Sequence, residues 1–257
     1  MLVNEAIAFA EQELKRSNNL NSRLDSEILV SHLINIPRES IYSKLKENLP
    51  SNKTEELQNL VSRRVKKEPI AYILNNKEFW STNFYVDRSV LIPRPETEVL
   101  IDLILSQINN KNNYFNILDI GTGSGCILVS LLKELTKAKG IGIDKSSKAI
   151  AVAKKNSTSQ HVDSRSSFKN INLENIKFDK KFDLIVSNPP YLPDVSLKNL
   201  NLDIKLYEPK IALQGGVQGV DFLCKIITLA SKILKIKGLL ALEIGDNQFY
   251  ILAKYLK

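Results

Sequence analysis

Histidine and cysteine are scarce in this chain of 257 residues, with two of each. Two cysteines, Cys126 and Cys224, exclude a disulfide scaffold. So few soft and imidazole ligands leave little from which to build a zinc site, and no metal is expected. His32 stands alone, which is poor ground for a catalytic histidine. No stretch approaches 18 consecutive apolar residues, so no membrane-spanning helix is expected. The first residues lack a basic cluster and include Glu5, unlike a signal peptide. These absences lead to the expectation of a cytoplasmic protein. Glycine is missing altogether from residues 1–74.

What is present is ordinary for a globular protein: 43% apolar and 25% charged residues. The formal net charge is +8, unevenly spread. Residues 1–74 carry 11 basic and 10 acidic side chains, and residues 111–257 carry 22 and 13. An excess of that kind suits an anionic partner such as nucleic acid or a ribonucleoprotein, and suits a merely lysine-rich surface as well.

Residues 1–74 read as a helical bundle of four or five helices. Leu2, Ala6, Phe9 and Ala10 recur at helical spacing, as do Leu24, Ile28 and Leu29. Ser22 and Asp25 have the spacing of a capping box. Residues 75–92 change character. Phe79 to Val86 is aromatic and alternating, and Val90-Leu91-Ile92 follows Asp87-Arg88-Ser89, which predicts a β-hairpin linker. The stretch Pro93-Arg94-Pro95-Glu96-Thr97-Glu98 then holds an extended path before a helix to about Gln107. It serves either as a capped linker or as a rigid wall of an active site between domains.

From residue 116 the pattern alternates strand and helix, which predicts an α/β Rossmann-like sheet. Strands are expected at 116–120, 141–144, 168–173, 182–187 and 238–244. Helices are expected at 126–134, 148–156, 220–235 and 247–256. Three units follow: 1–74 helical, 75–92 hairpin, and 93–257 the α/β domain.

The first strand runs into Gly121-Thr122-Gly123-Ser124-Gly125, a turn that lets a ligand approach the backbone. Asp144 lies 23 residues after Gly121, where a carboxylate can accept ribose hydroxyls. Asp119 precedes the glycines. An acid there disfavours a pyrophosphate and suits a cofactor with cationic groups, such as S-adenosylmethionine. Glycines that serve only the turn are the bland alternative.

The fourth strand ends in Asn188-Pro189-Pro190-Tyr191. Open α/β sheets bind ligands at the carboxyl ends of their strands. The Asn188 oxygen can accept one hydrogen of a planar NH2 group, and the Pro189 carbonyl the other. The second proline stiffens the turn, and Tyr191 offers a flat face. A plain polar turn has the same letters. Cys126 reads as a packed core thiol.

At this point the chain resembles the release factor glutamine methyltransferases. The matching stretches include Glu68-Pro69-Ile70-Ala71-Tyr72-Ile73, Glu78-Phe79-Trp80 and Leu91 to Glu98. They continue through Leu118 to Gly125, Val186 to Tyr191, Glu208-Pro209 and Glu243-Ile244-Gly245. The resemblance implies methyl transfer from S-adenosylmethionine to the glutamine amide of the Gly-Gly-Gln motif in class I peptide chain release factors. It implies that Asp119, Gly121, Thr122, Gly123, Ser124, Gly125 and Asp144 hold the cofactor, with Asn188 touching it. Asn188, Pro189 and Tyr191 would carry catalysis. Pro95, Glu96, Thr97 and Pro190 would join them in binding substrate. Residues 1–74 would dock the release factor, with no membrane and no stable nucleic acid complex involved, and the protein would be monomeric.

The family commonly has Gly at the positions of Asn75 and Ser81, and an aromatic cofactor contact after strand three, for which Phe168 is the match by type. Its sheet also closes with two strands beyond the last helix, which are expected to be absent here. Two other activities fit the same residues: methylation of an exocyclic amine such as adenine N6 in DNA or RNA, and cofactor binding without catalysis.

Overall fold

The computed structural model describes residues 1–176, 178 and 181–255. The chain divides into two compact units, Met1–Asn75 with Leu202–Tyr207, and Asn76–Asn201 with Glu208–Lys257. This differs from the three-part division expected: the hairpin falls inside the second unit, and a late segment belongs to the first.

The first unit contains α1 (Val3–Arg16), α2 (Ser22–Leu33), α3 (Lys53–Val65) and α4 (Ile70–Leu74). Val3, Ala6, Ile7 and Ala10 form the buried stripe of α1 and pack against Leu29, Val30, Leu57 and Leu60. Asp25 does not close a capping box with Ser22. Ser22 is already helical, and the buried Asp25 carboxylate accepts from Arg64 Nε at 2.7 Å and Asn19 Nδ2 at 2.8 Å. A charge-assisted bond between helices outweighs a local cap. Asn75 is not a hairpin residue. It ends α4 with φ 52°, a left-handed conformation that asparagine tolerates.

In the second unit the hairpin is shorter than expected. It pairs β1 (Lys77–Phe79) with β2 (Thr82–Phe84) across the two-residue turn Trp80-Ser81. Phe79 and Phe84 are buried edge to face, 6.1 Å apart. No strand forms at Val90–Ile92. Asp87 does turn the chain, accepting from Ser89 N at 2.8 Å. Beyond it the Ile92 amide is taken by Glu208 Oε2 at 3.4 Å, and Pro93 has no amide to offer.

The α/β core comprises α5 (Pro95–Ser106), β3 (Asn116–Ile120), α6 (Cys126–Glu134), β4 (Lys139–Asp144), α7 (Ser147–Ser159), β5 (Ser166–Asn170) and β6 (Phe182–Ser187). After β6 comes α8 (Leu202–Tyr207), the segment that belongs to the helical unit, where the Tyr207 hydroxyl donates to the Lys66 carbonyl at 2.7 Å. The core resumes with α9 (Asp221–Ile233), β7 (Leu234–Leu242) and α10 (Gln248–Tyr255). The sheet is parallel, in the order β5-β4-β3-β6-β7. This is the Rossmann-like, doubly wound arrangement expected.

The limits of three strands differ from expectation. β4 starts at Lys139, because Asn116 and Ile117 pair with Lys139 and Gly140. β5 starts at Ser166, because Ser166 to Asn170 pair with Gly140 to Asp144. Leu234 already pairs with Phe182, and after an irregular excursion the ladder resumes at Leu239. The expected helix end at Leu256 lies outside the described residues.

Chain order reverses between β3 and β6. Helices leave these two strands towards opposite sides, which opens a crevice at their carboxyl ends. The turn after β3, the acid that ends β4 and the tetrapeptide after β6 all emerge there.

Candidate functional site

A cleft opens at that switch point. Gly121, Thr122, Gly123, Ser124 and Asp144 line one end, and Thr97, Asn188, Pro189 and Pro190 the other. The glycine turn is held from the next strand, since the Gly121 and Thr122 amides both donate to the Ile143 carbonyl at 2.9 Å. Gly121, Gly123 and Gly125 have φ of 71°, 54° and 79°, which side chains rarely adopt. A Cβ on Gly121 would enter open space, so the cleft is free directly above the turn.

Asp144 accepts from Gly123 N at 3.0 Å and Ser146 N at 2.8 Å. Its carboxylate is therefore aimed while keeping spare lone pairs. Burial raises its pKa, and those amides pull it back. Asp119 is fully buried beneath the turn. Its Oδ2 accepts from the Thr122 hydroxyl at 2.6 Å, and its Oδ1 has no hydrogen bond. Burial pushes Asp119 up to about 7, Asp144 adding to the rise and Thr122 and the nearby Leu128 amide opposing it.

At the other end the supporting side chains are bonded to one another. Asn188 Nδ2 donates to Thr97 Oγ1 at 3.0 Å, and Thr97 Oγ1 donates to Glu243 Oε2 at 2.7 Å. The Tyr191 hydroxyl donates to Glu243 Oε1 at 3.1 Å. Glu243 N donates to the Ser187 carbonyl at 3.0 Å, and Gln248 Nε2 to the Tyr191 carbonyl at 2.8 Å. The Ser187 hydroxyl ties β6 to β3 through the Ile120 carbonyl at 2.6 Å. Gly219 has φ 75°, and any side chain there would strike the Tyr191 carbonyl.

Not every expected residue reaches the cleft surface. Asp119 and Gly125 lie behind the turn, and Pro95 and Glu96 are exposed on the first turn of α5. Tyr191 points away to Glu243 and packs with Val220, Leu223 and Leu252, which raises its pKa to about 12 by burial and by Glu243. Phe168 is buried under Gly142 and Gly125, so it is a core residue. The residues after β5 that line the cleft are Ile171, Asn172 and Leu173, with no aromatic among them. Cys126 is buried in the core, its thiol pushed up to about 12.

Sequence reasoning gave no role to Arg94 and Glu208. Arg94 lines the cleft and donates to the buried Glu208 Oε1 at 2.6 Å. Pro93, Arg94 and Thr97 thus form part of the cleft wall within the second unit, while Pro95 and Glu96 face outward. A salt bridge between residues 114 apart has no local signal.

A family model described as the PrmC N-terminal domain matches residues 5–74, and one described as a methyltransferase domain matches residues 111–250. The release factor glutamine methyltransferase of Clostridium acetobutylicum is 36% identical over 250 residues, covering 96% of this chain and 87% of that protein. Its namesake from Geobacter sulfurreducens is 39% identical over 228 residues, covering 89% and 78%. The chain belongs to the release factor glutamine methyltransferase family.

A crystal structure of an SAM-dependent methyltransferase from Geobacter sulfurreducens, in complex with S-adenosyl-L-homocysteine, aligns at a TM-score of 0.41. It is 19% identical and covers 58% of this chain and 47% of its own. In this member of the family the glycine turn and Asn188, Pro189 and Pro190 line one cleft. No helix among its described residues is long and apolar enough to cross a membrane.

Proposed function

We propose that this chain transfers a methyl group from S-adenosylmethionine to the side-chain amide nitrogen of the glutamine in the Gly-Gly-Gln motif of class I peptide chain release factors. The observation that carries the reading is the meeting of the glycine turn and Asp144 with Asn188 and Pro189 in one cleft. Family membership supports it independently.

The residues at the first end suit the cofactor. Asp144 is aimed to accept ribose hydroxyls. Asp119 sits behind the turn without reaching the cleft, and when ionised its buried charge favours a cationic group on the other side of the turn. When bound, S-adenosylmethionine supplies an electrophilic sulfonium methyl.

At the second end, Asn188 and Pro189 act on the acceptor. An amide nitrogen is a poor nucleophile because its lone pair is delocalised. The Asn188 oxygen and the Pro189 carbonyl hold its two N–H bonds and point the lone pair along the transfer axis. Positive charge grows on that nitrogen during attack, so both acceptors bind it better in the transition state. The nitrogen gains the methyl, the carbon–sulfur bond breaks to leave a thioether, and the N–H proton passes to water. Residues 1–74 recognise the release factor. The enzyme works in the cytoplasm, where termination occurs, as a monomer.

Incubation with methyl-labelled S-adenosylmethionine, a release factor and RNA tests this. Label is expected on the Gly-Gly-Gln glutamine. Label on adenine with none on the factor sinks the reading. Asn188→Ala is expected to lower kcat by about 10²–10³ while cofactor Kd stays within about twofold.

A further inference from the structure

Asn188 can help an amide only if its oxygen, and not its NH2, faces the cleft. The two ends of a carboxamide have the same shape, so packing alone chooses poorly between them. Something must fix the direction. We infer that Glu243, acting through the Thr97 hydroxyl, is the positioning residue that turns the Asn188 oxygen towards the acceptor amide. This rests on the proposed function and names a residue that sets its geometry.

Hydrogen-bond polarity carries the argument. A carboxylate only accepts, so the 2.7 Å contact between Glu243 Oε2 and Thr97 Oγ1 consumes the single hydroxyl proton of Thr97. Thr97 then meets Asn188 with a lone pair. At 3.0 Å the partner must be a donor, and the only donor on that side chain is Nδ2. The oxygen is left at the other end of the amide, without a partner among the described residues, on a residue that lines the cleft. Reversing the amide would set two lone pairs against each other. Thr97 and Glu243 are thus a one-way relay, and its direction originates in the charge of Glu243.

The relay is firmly mounted. Thr97 is buried in the first turn of α5, after a proline at the first helical position. Glu243 is anchored by its own amide to the carbonyl of Ser187, the residue before Asn188. Its second oxygen takes the Tyr191 hydroxyl. One carboxylate therefore grips both ends of the Asn-Pro-Pro-Tyr turn. Tyr191 belongs to this mounting, which explains why it is aimed away from the cleft.

The test compares wild type with Thr97→Val, Thr97→Ser and Glu243→Gln in full-length chain. Readouts are cofactor Kd by calorimetry, methyl transfer to a release factor, and 15N NMR of the Asn188 Nδ2 protons. Thr97→Val keeps the shape but removes the relay, and is expected to lower kcat by about 100-fold, with KM for the factor and cofactor Kd within about threefold. Thr97→Ser keeps a hydroxyl and is expected to recover most of the loss. Glu243→Gln can present either end to Thr97, so a loss of about tenfold and faster solvent exchange of the Asn188 NH2 are expected.

Full turnover in Thr97→Val, or equal losses in Thr97→Val and Thr97→Ser, overturns the relay. Should Thr97→Val fail to fold, the exchange rate in Glu243→Gln decides: unchanged exchange overturns it. A wild-type chain that leaves the glutamine unlabelled overturns the proposed function instead, while the exchange measurement still reads the relay.

Discussion

The two ends of the cleft are built on opposite terms. At the Asn188 end the polar side chains are paired, in an unbroken run through Thr97 and Glu243 to Tyr191. At the glycine turn a fully buried carboxylate keeps one oxygen without a hydrogen bond. A paired network cannot easily reorganise, which suits a site that must present fixed acceptors at the moment of reaction. An unpaired buried acid costs stability until something cationic arrives. One end has its supporting groups fixed before the ligand binds, with the Asn188 oxygen and Pro189 carbonyl kept for the acceptor amide. The other holds a buried charge still to be balanced.

The sharpest way to break this contrast is Asp119→Asn. It removes the negative charge and keeps the shape. Asp119 does not reach the cleft, so what the cofactor loses is a charge felt through the turn, and affinity is expected to fall by tens of fold, about 2 kcal/mol. Stability should move the other way. The pKa of Asp119 stands at about 7 in the folded chain against an ordinary 3.8. Between those values the folded state holds a proton that the unfolded state has released. The stabilising contribution is therefore complete below about pH 4 and lost as pH rises through 7. The variant has no such loss, so its melting temperature without cofactor should exceed wild type at pH 8 by more than at pH 5. The gain is on the order of a few kcal/mol at most, less the cost of a buried NH2. A variant that binds cofactor normally ends the comparison.

A smaller effect sharpens it. A cation in the cleft across the turn from Asp119 favours the ionised acid, so binding should tighten as pH rises. Between pH 6 and 8 the ionised fraction increases about tenfold for a pKa near 7, and cofactor Kd should fall by up to that factor. Asp119→Asn should flatten the slope. Calorimetry across this range checks both.

What could be read in the sequence follows the same division. The glycine turn, Asp144 and Asn188 announce themselves because each lies at a strand end and its chemistry is local. The strand order that unites them follows from parallel connectivity. Glu243 and Thr97 could not be joined in advance, since 146 residues separate them and only the fold sets them 2.7 Å apart. Phe168 illustrates the reverse error. Its type matched an expected contact, yet residues on a strand alternate in direction, and its ring lies under Gly142. The hairpin was misread because Val90-Leu91-Ile92 has strand composition, while tertiary demand on the Ile92 amide leaves it unpaired to any strand.

That hairpin supplies the smallest effect and a baseline away from both ends of the cleft. Its two-residue turn places Trp80 at φ 50° and Ser81 at φ 51°. A turn with both central residues in the left-handed region favours glycine at each. Ser81→Gly should remove a local penalty of about 1 kcal/mol, partly offset by greater freedom in the unfolded chain. A net gain of about 0.5 kcal/mol is expected, with methyl transfer unchanged. Trp80→Gly should do the opposite despite the same backbone angle. The Trp80 indole donates to Glu134 Oε1 at 2.9 Å and packs on the core, so its removal should cost about 2 kcal/mol. Glu98 Oε1 meanwhile accepts from the Trp80 backbone amide at 2.9 Å, a bond that either residue at position 80 retains. Chemical denaturation of both variants separates backbone strain from side-chain anchoring. Equal signs would mean that the left-handed turn alone, and not the anchors, sets the stability of this corner.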